Sequence, residues 1–501
     1  NIVDRNGRVL AMNLDTHSLY AQISDMIDPE KVAHELSVIF PELDKETLFK
    51  DFTSERRFLW IRRQISPEQM QAVHDIGDPG LLFGPREMRL YPNGSVAAHI
   101  LGGATYGREG VNSAEVIGVA GVEKYFDDFL RDPANKGAPL ALSIDLTVQA
   151  ASERVLQGGM MLMSAKGASS VLMDVHTGEI ISMVSLPDFD PNDRPRIMTE
   201  GDQSDSVLFN RAIQGVYELG SVFKIFAVSQ AIEIGLIDAT TMIDTMGPLA
   251  WGRFRIRDFH DYGPQLTVED VIVMSSNIGT ARIAMMIGAD RQRDFLGSLG
   301  LLVETPVEMV EAPTGDPLLL SNCSEISTMT ISYGHGLSSS PVHLATAYAS
   351  LLNGGYRIEP TIMRQDGPRY GPRVVSEKVS TIARDMLRAV VVRGTASFGD
   401  VEGYEVGGKT GTADKPRPTG GYYDDRTIAT FASVFPASDP QYVLIVTLDE
   451  PTVEVLGEQR RTSGWTAVPV AAEMIRRIAP LLGMRPDVET LTPTGVSFSS
   501  N

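Results

Sequence analysis

A chain of 501 residues exceeds what one hydrophobic core ordinarily serves, since cores stop growing near about 300 residues, so two domains are expected. Its 43% hydrophobic and 22% charged residues are those of a globular protein, and 44 Lys and Arg against 64 Asp and Glu leave a net charge of −20, the wrong sign for gripping phosphates, so nucleic acid is not an expected partner. Cys323 is the single cysteine, which excludes an intrachain disulfide and a paired-cysteine metal site, and no run of about 18 apolar residues marks a membrane span.

Residues 1–140 read as irregular α+β: short β-type runs and a few helical stretches are interrupted by turn signals such as Arg5-Asn6-Gly7 and Tyr91-Pro92-Asn93-Gly94. Loop-forming residues cluster around Asp132-Pro133-Ala134-Asn135-Lys136-Gly137, which sets a domain boundary near 140. Beyond it the pattern predicts a short strand at 141–144 and a helix over about 147–164. Apolar runs at 169–174 and 179–185 flank Val175-His176-Thr177-Gly178 as a β-hairpin, with His176 in the turn. A second hairpin joins 427–435 to 442–448 around Pro436-Ala437-Ser438-Asp439-Pro440. No strand-helix-strand alternation dominates between the two, so an antiparallel sheet flanked by helices is expected, followed by a tail at 486–501.

Three segments carry residues able to do chemistry. Ser221-Val222-Phe223-Lys224 follows Gly220, and 225–234 is helix-compatible with Gly235 as its stop. Residues three apart share a helix face, so the Lys224 amine can take the Ser221 proton if it is neutral. Bringing a lysine from about 10.4 to the useful 7–8 takes roughly 4 kcal/mol, whereas a helix N-terminus supplies at most about 2. Partial burial and a second cation must contribute. Farther along, Leu266-Thr267-Val268-Glu269-Asp270 has the form of a capped helix start leading to Ser275-Ser276-Asn277. There Ser275 can relay a proton and Asn277 can hold a substrate amide; the plainer alternative is that both terminate a helix, and the same spacing recurs at Ser499 and Asn501. The third segment, Gly407-Gly408-Lys409-Thr410-Gly411-Thr412-Ala413, follows a β-type stretch. Such an edge can pair with an extended peptide while Lys409, Thr410 and Thr412 receive a terminal carboxylate. Lys409 also supplies the second cation.

A rival pattern overlaps the third segment: 403–410 satisfies the phosphate-loop spacing, and 443–450 ends in Asp449-Glu450 like a magnesium-holding strand. That loop requires its lysine to open a helix, and Pro416, Pro418 and Gly420-Gly421 oppose one here. Markers of zinc hydrolases and of the common Ser-His-Asp hydrolases are missing from the sequence.

SxxK, SxN and KTG in this order resemble the motif set of penicillin-binding proteins and serine β-lactamases. The strings Tyr217-Glu218-Leu219-Gly220-Ser221, Ser275-Ser276-Asn277-Ile278-Gly279, Pro187-Asp188-Phe189-Asp190-Pro191-Asn192 and Asn353-Gly354-Gly355 are similar to class B penicillin-binding proteins, as are Asp4-Arg5-Asn6-Gly7 and Gly121-Val122-Glu123-Lys124 in the first half. The stretch from Arg89 to Gly102 and the segment Ser463-Gly464-Trp465 resemble the septal members of that class. The resemblance implies a pedestal over 1–140, a transpeptidase domain over 141–485, no cofactor and no metal. It departs from the family at Leu219 and Val222, where Pro and Thr are usual.

By that resemblance Ser221 is the nucleophile, Lys224 its base and Ser275 a proton shuttle. Asn277, Lys409, Thr410, Gly411 and Thr412 bind substrate, and the backbone amides of Ser221 and Thr412 form the oxyanion hole. The implied donor is a peptidoglycan stem peptide ending in D-Ala-D-Ala, with β-lactams as inhibitors and a membrane glycosyltransferase and division proteins as partners. A periplasmic location is implied, with an inner-membrane anchor upstream of Asn1. Tyr422 and Tyr423 stand beside the motif as a cleft wall or, alternatively, as structural strand-edge residues. A β-lactamase or β-lactam sensor would share the three motifs but needs no front domain of this length. A non-catalytic scaffold of the wall machinery is the alternative of another class.

Overall fold

The computed structural model describes residues 1–110, 113–319, 324–417 and 420–487. Cys323, Pro418 and the tail from 488, with its second SxN spacing, lie outside the described residues. The chain divides into two compact units, one of Asn1–Val3, Val9–Gly94 and Leu101–Leu140, the other of Asp4–Arg8, Ser95–Ile100 and the chain from Ala141.

In the first unit the long strand β1 (Val9–Gln22) pairs antiparallel with both β2 (Phe58–Ile65) and β3 (Leu81–Leu90). Helices α1 (Pro29–Ile39), α2 (Lys45–Phe52) and α3 (Pro67–His74) each begin behind a side-chain cap, from Asp28, Asp44 and Ser66. Val32, Leu36 and Phe40 of α1 meet Leu19, Ile61 and Leu81 of the sheet in one apolar cluster.

Two short segments from the first part of the sequence belong to the second unit because their polar groups are satisfied there. The buried Asp4 carboxylate accepts the Leu146 N–H, Arg8 reaches Asp145, and the Ala97 N–H donates to Glu153. The helix expected at 147–164 is α4 (Leu146–Leu162), capped by Asp145. The strand expected at 141–144 is shorter, Leu140–Ala141 with an isolated bridge at Leu142. Beyond it the Ser143 N–H goes to the Ile362 carbonyl and its hydroxyl to Ile180, so this stretch is tied to separate segments rather than to one ladder.

Both expected hairpins form. Strands β4 (Gly167–Asp174) and β5 (Ile180–Leu186) pair antiparallel, and His176 sits in the turn between them, bonded to Tyr370. The third motif lies on β8 (Gly407–Pro416), and the second hairpin joins β9 (Tyr422–Phe435) to β10 (Tyr442–Asp449). Between them in sequence, β6 (Leu249–Trp251) and β7 (Phe254–Ile256) make a small separate hairpin. The main sheet runs β8-β9-β10-β4-β5, all antiparallel, with β8 at an edge. Consecutive residues of β4, β5, β9 and β10 are buried, so both sheet faces are covered.

Helix α5 (Lys224–Glu233) carries the first motif, α6 (Val268–Val273) and α7 (Asn277–Ile287) flank the second, and α8 (Pro341–Leu352) is buried along its whole length. Its polar members His343, Thr346 and Ser350 are hydrogen-bonded, so a helix buried on every side can stand in the core. Phe431 of β9 is fully buried with its ring against Gly408 of the edge strand. Truncation of Phe431 to Ala leaves a cavity under β8 and should cost about 3–5 kcal/mol, read from the denaturant midpoint of the unit's unfolding transition. A midpoint equal to wild type would contradict this packing.

Candidate active site

Ser221 stands in a 3-10 turn, Gly220–Phe223, that runs directly into α5 at Lys224. In such a turn residues i and i+3 eclipse, which stacks Ser221 and Lys224 on one side. The Tyr348 hydroxyl of α8 donates to the Val222 carbonyl at 2.8 Å, and the rings of Phe223, Phe226 and Tyr348 pack edge to face, so the turn is fixed from below. Gly220 has φ +65°, and a Cβ there would lie 2.8 Å from the Thr412 carbonyl oxygen. A Cβ on Gly411 would lie 2.2 Å from the Leu219 carbonyl oxygen. Glycine at both positions lets the edge strand lie against the turn. Leu219 and Val222, the two departures from the family pattern, are fully buried and serve this packing.

Ser275 follows the end of α6. Its N–H bonds the Ile272 carbonyl and the Ser276 N–H bonds Val271, the paired bonds of a Schellman helix end, with Ser275 itself at φ +62°. A non-glycine residue in this conformation is strained by roughly 1–3 kcal/mol and persists because its surroundings hold it. Ser276 then caps α7: its hydroxyl accepts the Gly279 N–H at 2.9 Å and donates to Asp258 at 2.7 Å. The other Asp258 oxygen accepts the Ile278 N–H at 3.0 Å, and the Asn277 side-chain amide donates to the Arg257 carbonyl at 2.9 Å. The capped start expected at Thr267 and Asp270 is present, with the Thr267 hydroxyl accepting the Asp270 N–H.

The two lysines converge on one atom. Lys224 Nζ lies 3.0 Å and Lys409 Nζ 2.9 Å from Ser275 Oγ; Lys224 also donates to the Ser275 carbonyl and Lys409 to that of Thr410. Both side chains are completely buried. Burial pushes the Lys224 amine well below its usual range; the neighbouring Lys409 pushes it further and Asp258 opposes. Burial also brings Lys409 down to about 7. Burial and the neighbouring Lys409 charge thus both favour the neutral form of Lys224.

Of the hydroxyls on β8, Thr410 bonds Thr395 at 2.7 Å, whereas Thr412 accepts the Ser463 N–H at 3.0 Å and so keeps its proton to donate. Tyr422 donates to Glu218 at 3.0 Å, and Glu218 also takes the Gly336 N–H and His335. Burial works against the charge of Glu218, yet these partners hold its carboxyl below the usual range. Tyr423 faces the guanidinium groups of Arg417 and Arg426. Both tyrosines thus have structural partners. The phosphate-loop pattern is overturned: Lys409 lies within a strand and opens no helix, and Asp449 and Glu450 are engaged by Lys415 at 2.7 and 2.8 Å.

A family model described as the penicillin binding protein transpeptidase domain matches residues 168–476, and one described as the penicillin-binding protein dimerisation domain matches residues 1–136. The chain belongs to the penicillin-binding protein family. Among its relatives, a protein of Caulobacter vibrioides described as a probable peptidoglycan D,D-transpeptidase FtsI is 35% identical over 98% of this chain and 82% of its own. The Neisseria gonorrhoeae protein described as a probable peptidoglycan D,D-transpeptidase PenA is 31% identical over 90% of this chain and 80% of its own. The peptidoglycan D,D-transpeptidase FtsI of Escherichia coli K12 is 27% identical over 98% and 84%.

In this penicillin-binding protein Asp258, Thr395, Ser463 and Tyr348 support the motif residues without belonging to any motif. Replacing Lys409 by Met removes the second charge, so the Lys224 amine should titrate at higher pH than in wild type. Asp258→Asn removes the opposing carboxylate and should shift it lower. Lysine side-chain 15N NMR from pH 4 to 11 reads both; shifts of the opposite sign would contradict the stated causes.

Proposed function

We propose that the protein is a peptidoglycan D,D-transpeptidase of septal wall synthesis, acting through a Ser221 acyl-enzyme. The observation that carries this reading is the convergence of Lys224 and Lys409 on the Ser275 hydroxyl, because it gives one neutral amine and one cation in a water-poor cleft. Lys224 takes the Ser221 proton as the hydroxyl oxygen bonds the carbonyl carbon of the penultimate D-alanine. The amides of Ser221 and Thr412 stabilise the oxyanion; the close packing of the Thr412 backbone on Gly220 supports that pairing. The proton passes through Ser275 to the leaving nitrogen, the C–N bond breaks, and free D-alanine departs. An amine of a neighbouring stem then attacks the ester carbonyl, returns its proton through Lys224 to Ser221, and leaves a new amide cross-link.

Asn277 binds the donor amide, while Lys409, Thr410, Gly411 and Thr412 form the strand edge against which the donor lies and where its carboxylate ends. The protonated Lys409 and the proton left to Thr412 by the Ser463 amide fit that role. The protein works in the periplasm, beside a membrane glycosyltransferase and the division machinery. Among the described residues no helix is long and apolar enough to cross a membrane.

β-Lactams imitate the donor. Intact-mass measurement after incubation with a penicillin should give a 1:1 adduct on wild type that persists for hours and is missing from Ser221→Ala. An adduct on the variant would displace Ser221, and rapid release with product accumulation would make the protein a β-lactamase. The acylation rate should rise with pH as Lys224 loses its proton, with a midpoint far below the ordinary lysine value of about 10.5. In Lys409→Met that rising limb should move to higher pH; an unmoved limb would separate the two lysines.

A further inference from the structure

Beside the SxN segment, the β6–β7 hairpin carries an arrangement that the reaction just described does not use. Gly252 at φ +57° makes the two-residue turn, with Trp251 paired opposite Phe254 and Leu249 opposite Ile256. The base of the hairpin is buried through Ile256, in a cluster with Ile278, Ala281 and Met329. Its tip is not: Trp251 is 37% exposed, Phe254 46%, and Phe259 just beyond is 82% exposed.

Arginine alternates with these aromatics at 253, 255 and 257. The Arg253 guanidinium lies 5.3 Å from the centre of the Phe254 ring, and Arg255 is turned onto the carbonyls of Gly252 and Phe254. Among the described residues none of the three pairs with a carboxylate. Two such cations at the tip, Arg253 and Arg255, with Arg257 at the stem, are out of keeping with a chain of net charge −20. The stem of the hairpin also holds the active site directly, since the Arg257 carbonyl takes the Asn277 amide and Asp258 takes Ser276 and Ile278. A cavity of about 500 Å³ opens beside Trp251, walled also by Leu249, Met242, Met285 and Met286.

We propose that the tip of this hairpin, Trp251, Arg253, Phe254 and Arg255, is a subsite for the peptidoglycan strand itself, its aromatic faces taking acetamido sugars and its guanidinium groups the carboxylates of stem peptides. The inference rests on the transpeptidase reading and deepens it. Sugar C–H faces stack on indole and phenyl rings, and a planar guanidinium matches a carboxylate. The apolar cavity suits acetamido or alanyl methyl groups. A narrow polyanion can meet the tip alone, whereas a flat anionic membrane would also meet the field of a chain with net charge −20 and be repelled.

The test uses the full chain and soluble, uncross-linked glycan strands bearing stem peptides, with penicillin acylation measured in parallel. R253E/R255E should weaken strand binding by about tenfold or more while the penicillin acylation rate stays at the wild-type value. Wild type should bind strands whose carboxylates have been amidated as poorly as the variant binds native ones, a comparison that needs no mutation. Equal binding of native and amidated strands by wild type would overturn the proposal. Tighter binding of wild type to anionic phospholipid vesicles than to strands would also overturn it, in favour of a membrane contact. Failure of wild type to acylate would instead defeat the transpeptidase reading, a distinct result.

Discussion

One hydroxyl shared by two buried amines is the constraint on which the rest of the catalytic unit depends. Ser275 Oγ has two lone pairs and one proton, and both Lys224 and Lys409 come within hydrogen-bond distance of it. Nitrogens bonded to one oxygen in this way are no more than about 6 Å apart, and two ammonium groups at that separation repel by roughly 3 kcal/mol at an effective dielectric near 20, on the order of two pKa units, before the cost of burial is counted. The cleft is therefore far more stable with one charge than with two. On the proposed reading that asymmetry makes Lys224 the base and Lys409 the cation that receives the donor carboxylate.

Holding that geometry requires three distant segments to meet within a few ångströms, and the sequence is shaped around it. Gly220 and Gly411 remove the two Cβ atoms that would keep the serine turn from the edge strand. Ser275 is forced into a left-handed conformation at the end of α6, and the strain is held by Ser276 capping α7 and by Asp258 gripping both Ser276 and Ile278. Asp258 is thus both a brace for the second motif and a carboxylate whose charge favours a charged Lys224. Strong bracing and weak electrostatic opposition from one carboxylate are compatible because its oxygens are already occupied by donors other than the lysine.

What was legible in the sequence is what is local. The glycine-bounded helix after Ser221, the Thr267 cap and both hairpins follow from short-range patterns, and each is present. The second cation demanded by the lysine arithmetic was also legible, because a need for charge can be derived before its source is seen. The left-handed Ser275 was not, since nothing in Met274-Ser275-Ser276 announces it, and Asp258, Thr395 and Ser463 come to the site only through tertiary approach. The strand expected at 141–144 was misjudged for a similar reason: its apolar residues are buried, but Ser143 is tied to Ile362 and Ile180 rather than to a ladder. The phosphate-loop spacing shows the converse hazard, a correct pattern on the wrong element.

Location of hydrogen in the unliganded cleft tests the central claim most directly. A neutron structure of the deuterated protein near pH 6, below the value of about 7 for Lys409, should show two deuterons on Lys224 Nζ and three on Lys409 Nζ, with the Ser275 hydroxyl between them. Three deuterons on both nitrogens would contradict the account, because the base would then need an origin other than the burial and mutual repulsion of these two lysines.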